Sequence, residues 1–359
     1  MITIGVDAHK QVHAAIALDE RGREIGHWRG ANSVDGWRAL ADWATGLGAP
    51  CRWGIEGAWG NGRGLAQHLV ATDAEVYEVN PRWTAAGRRS ARRPGKTDRL
   101  DARAVALLVW RESTTLPVVG PDDETAVLDL LVAERDALVA ESTRTRNQVH
   151  QLLQQIDPEY AARLPRLRSQ AGVRALEAYA TDDARPLQQH RAAAVRRLAQ
   201  RLRLLADQIK ELVEQIRALA APRFAPLTAI CGIDLLTAAA LAGILGPGRR
   251  FATDAQLAAY AGAAPLEASS AERTRHRLNR GGNRQLNAIL YRIAVTQARC
   301  SPQARAYLAR RTGEGKTKRE ARRALKRFLA RAIWRKWEEC QATAAAVPAA
   351  PDPTSALAA

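Results

Sequence analysis

Apolar positions in the first eighty residues recur with the period of a strand and then of a helix, in alternation. "ITIGVDA" from Ile2 alternates with period two, "HAAIALDE" follows as a second strand, Arg21-Gly22 turns the chain, and "EIGHWRG" returns as a third. Ser33 can then cap a helix carrying Trp37, Leu40, Ala41 and Trp43. "CRWGIEG" reads as a fourth strand, "NGRGLAQHLVA" as a helix and "EVYEVN" as a fifth strand. After Pro94-Gly95, a helix is marked by Leu100, Ala104, Leu107 and Leu108.

The predicted order, βββαβαβ and a late helix, is that of a ribonuclease H-like domain, an α/β fold. From about Asp122 the pattern changes to all-α. Between Ala192 and Ala220, Leu198, Leu202, Leu205, Ile209, Leu212, Ile216 and Leu219 fall at alternating spacings of four and three, a heptad seam. Leu131, Leu138, Val149, Leu152 and Ile156 mark an earlier partner, interrupted by Arg135, Ser142 and Thr145, and Pro158, Pro165 and Gly172 break the stretch between. The expectation is a long antiparallel coiled-coil arm, either an internal hairpin or a dimer contact.

After Pro222, "LTAICGIDLLTAAALAGILG" has the pattern apolar helix, Gly-Ile-Asp turn, apolar helix, which resembles a helix-hairpin-helix. A polar basic loop runs through Asn279 and a helix starts from Asn283. On the last helix Leu325, Phe328, Leu329, Ile333, Trp334 and Trp337 form one apolar face, leaving the other to basic residues. The expected domains are 1–121, the helical arm 122–221, a helical C-terminal domain 222–342 and a disordered Ala- and Pro-rich tail 343–359.

Charge narrows the partners. The formal net charge is +17 and the isoelectric point about 10.6. Only 7 of the 54 basic residues are lysine, an excess of arginine that suits bidentate grip on phosphate. A polyanion is the expected partner, nucleic acid before membrane surface. No apolar run reaches the roughly 18 residues a span requires, and "MITIGVDAHK" lacks a signal-peptide pattern. The expectation is a soluble cytoplasmic, nucleoid-associated protein without membrane contact. Cys51, Cys231, Cys300 and Cys340 form no CxxC pair, so zinc is not expected, and their scatter suits buried small residues in a reducing compartment.

The candidate chemistry lies in four acids. Asp98 and Asp101 share a helix face at i, i+3, where like charges raise a pKa or call for a cation. Helix N-termini also favour acids for their dipole alone, Asp7 suits a turn, and Glu56 suits a cap. Together, however, the four sit at strand or helix ends of a nuclease topology whose first and fourth strands are neighbours. Paired Mg²⁺ ions held by such acids serve phosphoryl transfer.

"GVDAHK", "GIEGAWGNGRGLAQHL", "VNPRWT", "KTDRLDARAVALL", "CGIDLLTAAALAGILG", "LAAYAGAAPLEASS" and "HRLNRGGNRQLNAIL", in this order over about residues 1–340, resemble the DEDD-type insertion-sequence transposases related to the Piv invertase, insertion-sequence family one-ten. The resemblance implies a RuvC-like N-terminal domain whose quartet, here Asp7, Glu56, Asp98 and Asp101, binds Mg²⁺, and a C-terminal transposase domain with a serine nucleophile. That serine falls in "PLEASSA", at Ser270 by its place before the usual glycine, which is Ala271 here, with Ser269 as the competitor. The resemblance also implies donor and target DNA, an element-encoded guide RNA and a dimeric or tetrameric homo-oligomer.

The residues expected on nucleic acid are Arg88, Arg89, Arg92, Arg93 and Lys96, then Arg273, Arg275, Arg277, Arg280 and Arg284, then Arg322, Arg323 and Arg327. The expected function is a site-specific recombinase making a transient phosphoserine link. The alternatives are a RuvC-like junction endonuclease, which needs the acids but no serine, and a non-catalytic nucleic-acid-binding protein.

Overall fold

The computed structural model describes residues 1–84, 97–248, 250–267, 276–277, 279 and 281–345, with the backbone alone at 266–267, 276–277 and 343–345. Two compact units emerge. One combines Met1–Ala126 with the described residues from Arg223 onward, and the other is Val127–Pro222.

The first unit opens on a five-stranded sheet: β1 (Ile2–Ala8), β2 (Val12–Leu18), β3 (Glu24–Ala31), β4 (Cys51–Glu56) and β5 (Glu75–Val79). Its spatial order is β3-β2-β1-β4-β5, antiparallel through β1, β2 and β3 and parallel from β1 to β4 to β5. The βββαβαβ order expected from periodicity is therefore present. Ser33 does cap α1 (Val34–Thr45), its side chain accepting from the Gly36 amide, and α2 (Arg63–Val70) follows β4.

β1 departs from the expected alternation, because its residues from Ile2 to Asp7 are all buried. It is a central strand covered on both faces. On one, Ile4 and Val6 pack with Leu40, Ile55 and Leu65; on the other, Ala14, Ile16 and Leu18 of β2 meet Ala102 and Ala106 of α3 (Asp98–Glu112). The edge strand β3 shows the alternation that one wet face allows.

Two glycines seat α3. Gly5 and Gly54 are register partners on β1 and β4. A Cβ on Gly5 would lie 2.1 Å from the Ala106 amide nitrogen, and one on Gly54 would lie 2.3 Å from a Val109 methyl. The bare backbone makes a trough that lets the helix approach the sheet. Gly5→Ala is accordingly expected to destabilise by about 1–3 kcal/mol or more, since helix backbone cannot yield as a side chain does; a urea midpoint unchanged within error would show that α3 tolerates displacement.

The second unit is helical. The helices α4 (Glu124–Ile156) and α7 (Pro186–Phe224), which both continue into the first unit, run antiparallel, as Gln188 donating to the Gln155 carbonyl and Arg201 to Glu141 require. The short α5 (Tyr160–Arg163) and α6 (Gln170–Glu177) occupy the stretch that the prolines break. Val149, Leu153, Leu167, Leu176, Val195, Ala199 and Leu202 make one core, and Leu205, Leu212 and Ile216 of the heptad seam are also buried.

The rest of the first unit comprises α8 (Leu235–Leu245), α9 (Asp254–Tyr260), the two-residue strands β6 (Leu266–Glu267) and β7 (His276–Arg277), α10 (Arg284–Cys300), α11 (Pro302–Gly313) and α12 (Lys318–Ala345). Three expectations change here. The first arm of the hairpin-like motif is a 3-10 turn, Ala225–Ala229, with Pro226 in its first turn, rather than an apolar α-helix; Asp234 caps α8 as the turn pattern suggested. Phe328 is 52% exposed, set edge-on against Tyr307, rather than in the apolar face with Leu325, Leu329, Ile333 and Trp337. Cys231 and Cys300 are exposed, whereas Cys340 is buried. The tail from residue 346 lies outside the described residues, and among those described no helix is long and apolar enough to cross a membrane.

Candidate active site

Four acids gather at the carboxyl ends of β1 and β4. Asp7 and Glu56 are direct register partners on these parallel strands, so the ladder itself sets the pair side by side. Thr97 caps α3 by accepting from the Leu100 amide, which places Asp98 and Asp101 in the first turn above them. Asp101 is buried, and Asp98 stays about half exposed.

The electrostatics follow from that crowding. Burial pushes the Asp7 carboxyl up to about 6; the neighbouring His9 works against this, and repulsion from Glu56 and Asp101 adds to it. Glu56 accepts a hydrogen bond from the Thr84 hydroxyl at 2.5 Å. A ring nitrogen of His9 lies 3.0 Å from Asp7 and 3.6 Å from Asp98, and Arg29 lies 3.7 Å from Asp98. One ligand atom from each of Asp7, His9 and Asp98 falls within 4.8 Å of the others, a spacing one metal ion can bridge. Beside Asp98 a cleft of about 410 Å³ opens between His27, Trp28, Arg29, Thr97 and Arg99.

A divalent cation suits this set. The donors are carboxylate oxygens and one imidazole, the hard and borderline ligands that Mg²⁺ or Mn²⁺ accept. Asp7 is costly to ionise where it stands, and a cation held among Asp7, Glu56, Asp98 and Asp101 would reverse that cost.

His9, Thr84 and Arg29 were not singled out from the sequence. The signal for His9 was present in "GVDAHK", where i, i+2 spacing from Asp7 at a strand end keeps both side chains on one side. Thr84 and Arg29 carry no local signal, being 28 residues from Glu56 and 69 from Asp98 along the chain.

A second cluster joins the sheet to the C-terminal region inside the same unit. Arg250 is buried, donates to Glu78 of β5, to the Tyr260 hydroxyl at 3.0 Å and to the Ile244 carbonyl, and lies over the Trp59 ring at 4.8 Å. Trp59 donates to the same Glu78 carboxylate at 3.2 Å. Gly262, in "LAAYAGAAPLE", and Gly282 meet backbone to backbone, since a Cβ on Gly282 would lie 2.2 Å from the Gly262 nitrogen. Gly281 faces the Trp83 indole, where an added Cβ would come within 3.8 Å of Nε1. Trp83 and Thr84 thus connect the acid cluster with this loop.

The basic residues divide. Arg88, Arg89, Arg92, Arg93, Lys96, Arg273, Arg275 and Arg280 lie outside the described residues, as do Ser269 and Ser270; Arg277 is described in backbone only, paired with Leu266. Arg284 is exposed at the first position of α10. On α12, Arg327 is engaged by Asp254 at 2.9 Å, together with Arg331, and Arg323 lies 3.6 Å from Glu320. Arg322 is partly exposed.

A family model described as a DEDD transposase of IS110 matches residues 4–158, and one described as the transposase IS116/IS110/IS902 family matches residues 225–309. The insertion element IS110 uncharacterized 43.6 kDa protein of Streptomyces coelicolor is 32% identical over 269 residues, which cover 63% of this chain and 66% of that protein, just under two thirds of its length. The two family models take in the acid cluster at one end and the glycine-rich loop at the other: the chain belongs to the IS110 family of DEDD transposases.

Proposed function

We propose that this chain is the transposase of an insertion sequence, a recombinase that cuts and rejoins DNA by phosphoryl transfer through a transient phosphoserine link. The observation that carries the reading is the register pairing of Asp7 with Glu56 beneath Asp98 and Asp101, in a chain of net charge +17. The sheet order supports a RuvC-like domain over 1–121. The antiparallel helices support an arm over 122–221, and the remainder to 342 serves as the transposase domain.

Magnesium, two ions in this reading, would supply positive charge to the attacking and leaving oxygens of the phosphodiester. The chain's own groups do the rest. Thr84 holds the Glu56 carboxylate in place, and His9 sits where it can hold a proton between Asp7 and Asp98. Ser270, or Ser269 in its stead, attacks phosphorus; a strand P–O bond breaks, a strand hydroxyl leaves, and the ester is conserved on the serine for religation without ATP.

Arg273, Arg275, Arg277, Arg280 and Arg284 offset charge at phosphorus, while Arg88, Arg89, Arg92, Arg93, Lys96, Arg322, Arg323 and Arg327 hold the backbone of donor and target DNA and of a guide RNA. Arg327 would have to exchange Asp254 for phosphate. A homodimer or tetramer brings the strands together.

The test is covalent. Wild-type protein with Mg²⁺, guide RNA and suicide DNA substrates is expected to yield a protease-sensitive protein–DNA adduct that Ser270→Ala does not form although it still binds. An adduct lost only in Ser269→Ala moves the nucleophile by one residue. Cleavage with no adduct in wild type would replace this reading by a junction endonuclease, and binding with neither would leave a nucleic-acid-binding protein.

A further inference from the structure

Cys231 and Cys300, 69 residues apart in sequence, bring their sulfurs to 3.3 Å. That is closer than van der Waals contact between two sulfurs, and both residues are exposed to solvent. They stand on separate elements: Cys231 opens the Gly-Ile-Asp turn before α8, and Cys300 ends α10. The Cys300 thiol donates to the Thr296 carbonyl at 3.0 Å, which leaves the Cys231 thiol as donor to the Cys300 sulfur.

The approach is built into the surroundings. Gln297 donates to the Cys231 carbonyl at 2.8 Å, and Gly232, at φ +90°, lies so near Thr296 that a Cβ would come within 3.3 Å of its side chain. The turn is therefore held against α10 by contacts on either side of the thiols. The turn and α10 are also two walls of a cleft of about 430 Å³ lined by Gly232, Asp234, Thr237, Arg292 and Thr296. The other two cysteines offer a contrast within the same chain: Cys340 is buried, with its thiol pushed up to about 11 by burial, and Cys51 donates to backbone carbonyls.

We propose that Cys231 and Cys300 are a thiol pair that a peroxide oxidises to a reversible disulfide, stapling the 231–234 turn to the end of α10. One thiolate attacks a peroxide oxygen; the O–O bond breaks, water leaves, and a sulfenic acid remains. The second sulfur then attacks the sulfenic sulfur, the S–O bond breaks and a second water leaves with the remaining thiol proton. Two thiols and one peroxide become one disulfide and two waters. Hydrogen bonding to Cys300 holds the Cys231 thiol above the usual range, which keeps it protonated at neutral pH and slows its own attack on peroxide.

The full-length reduced protein, treated with a small excess of hydrogen peroxide, is expected to lose about two daltons, the two thiol hydrogens, and to regain them with dithiothreitol. Peptide mapping should show a linked pair containing Cys231 and Cys300, with Cys51 and Cys340 still alkylatable. Amide exchange at residues 231–237 should slow in the oxidised form. Cys231→Ser and Cys300→Ser should each abolish the mass loss and leave the remaining thiol to be trapped as sulfenic acid. A peptide map with no 231–300 link, oxidation spread over all four cysteines, or a link between two chains would overturn the assignment. A correct link without slower exchange would overturn the staple.

Discussion

Asp7→Asn is expected to give a protein that is inactive in strand exchange and more stable than wild type when divalent cations are chelated at neutral pH. Asp7 is 3% exposed and its carboxyl is raised from 3.8 to about 6. Between those values the folded chain holds a proton that the unfolded chain releases, so stability falls as pH rises through the interval and stays low above it. The shift corresponds to on the order of 3 kcal/mol at neutral pH. Asparagine keeps the shape and removes the charge, so the gain should be present at pH 7.5 and nearly gone near pH 3.5, where Asp7 is protonated in the folded chain and mostly protonated in the unfolded one.

Recombination, if the acids act as proposed, should fall on the order of 10³-fold or more, because a neutral side chain no longer attracts a cation to the strand ends. Added Mg²⁺ should raise the wild-type melting temperature and do so less for the variant. Equal melting curves in chelator at pH 7.5 would mean that the Asp7 charge is already compensated by groups of the chain, His9 foremost.

Arg250→Ala is expected to lower the stability of the first unit by about 3–5 kcal/mol, the cost of leaving the buried Glu78 carboxylate without its cation. The loss should exceed what a surface ion pair of the same length shows, since neither partner is well hydrated in the fold. Trp59 and Tyr260 would each lose a charged neighbour at the same time. A double variant, Arg250→Met with Glu78→Leu, removes both charges and should recover most of the loss, which makes the pair's coupling visible in a cycle of urea midpoints. If the single variant loses under about 1 kcal/mol, water reaches the pair and the contact between sheet and C-terminal region rests on the aromatic rings instead.

Local pattern determined much of this protein. Period two and period 3.6 placed the five strands and the helices around them, Ser33 marked a cap, and Pro158, Pro165 and Gly172 marked breaks, because each depends on neighbours within a few residues. The acids were legible as types at element ends, and the i, i+3 spacing of Asp98 and Asp101 was enough to set them in one helical turn. The sign and size of the charge were legible by counting.

Proximity across the chain was decided only by the tertiary structure. That β1 is buried on both faces depends on which helices cover the sheet, and that α3 reaches it depends on Gly5 and Gly54 lying side by side, 49 residues apart. His9 between Asp7 and Asp98, Thr84 on Glu56, Arg250 on Glu78 and Cys231 against Cys300 are encounters of the same kind. Apart from His9 and Asp7, two residues apart on one strand end, each joins groups that carry no information about one another in sequence, and packing alone brings them within bonding distance. The thiol pair shows the limit most directly: spacing along the chain argued for isolated buried cysteines, and only the seating of the 231–234 turn on α10 brought two of them together at the surface.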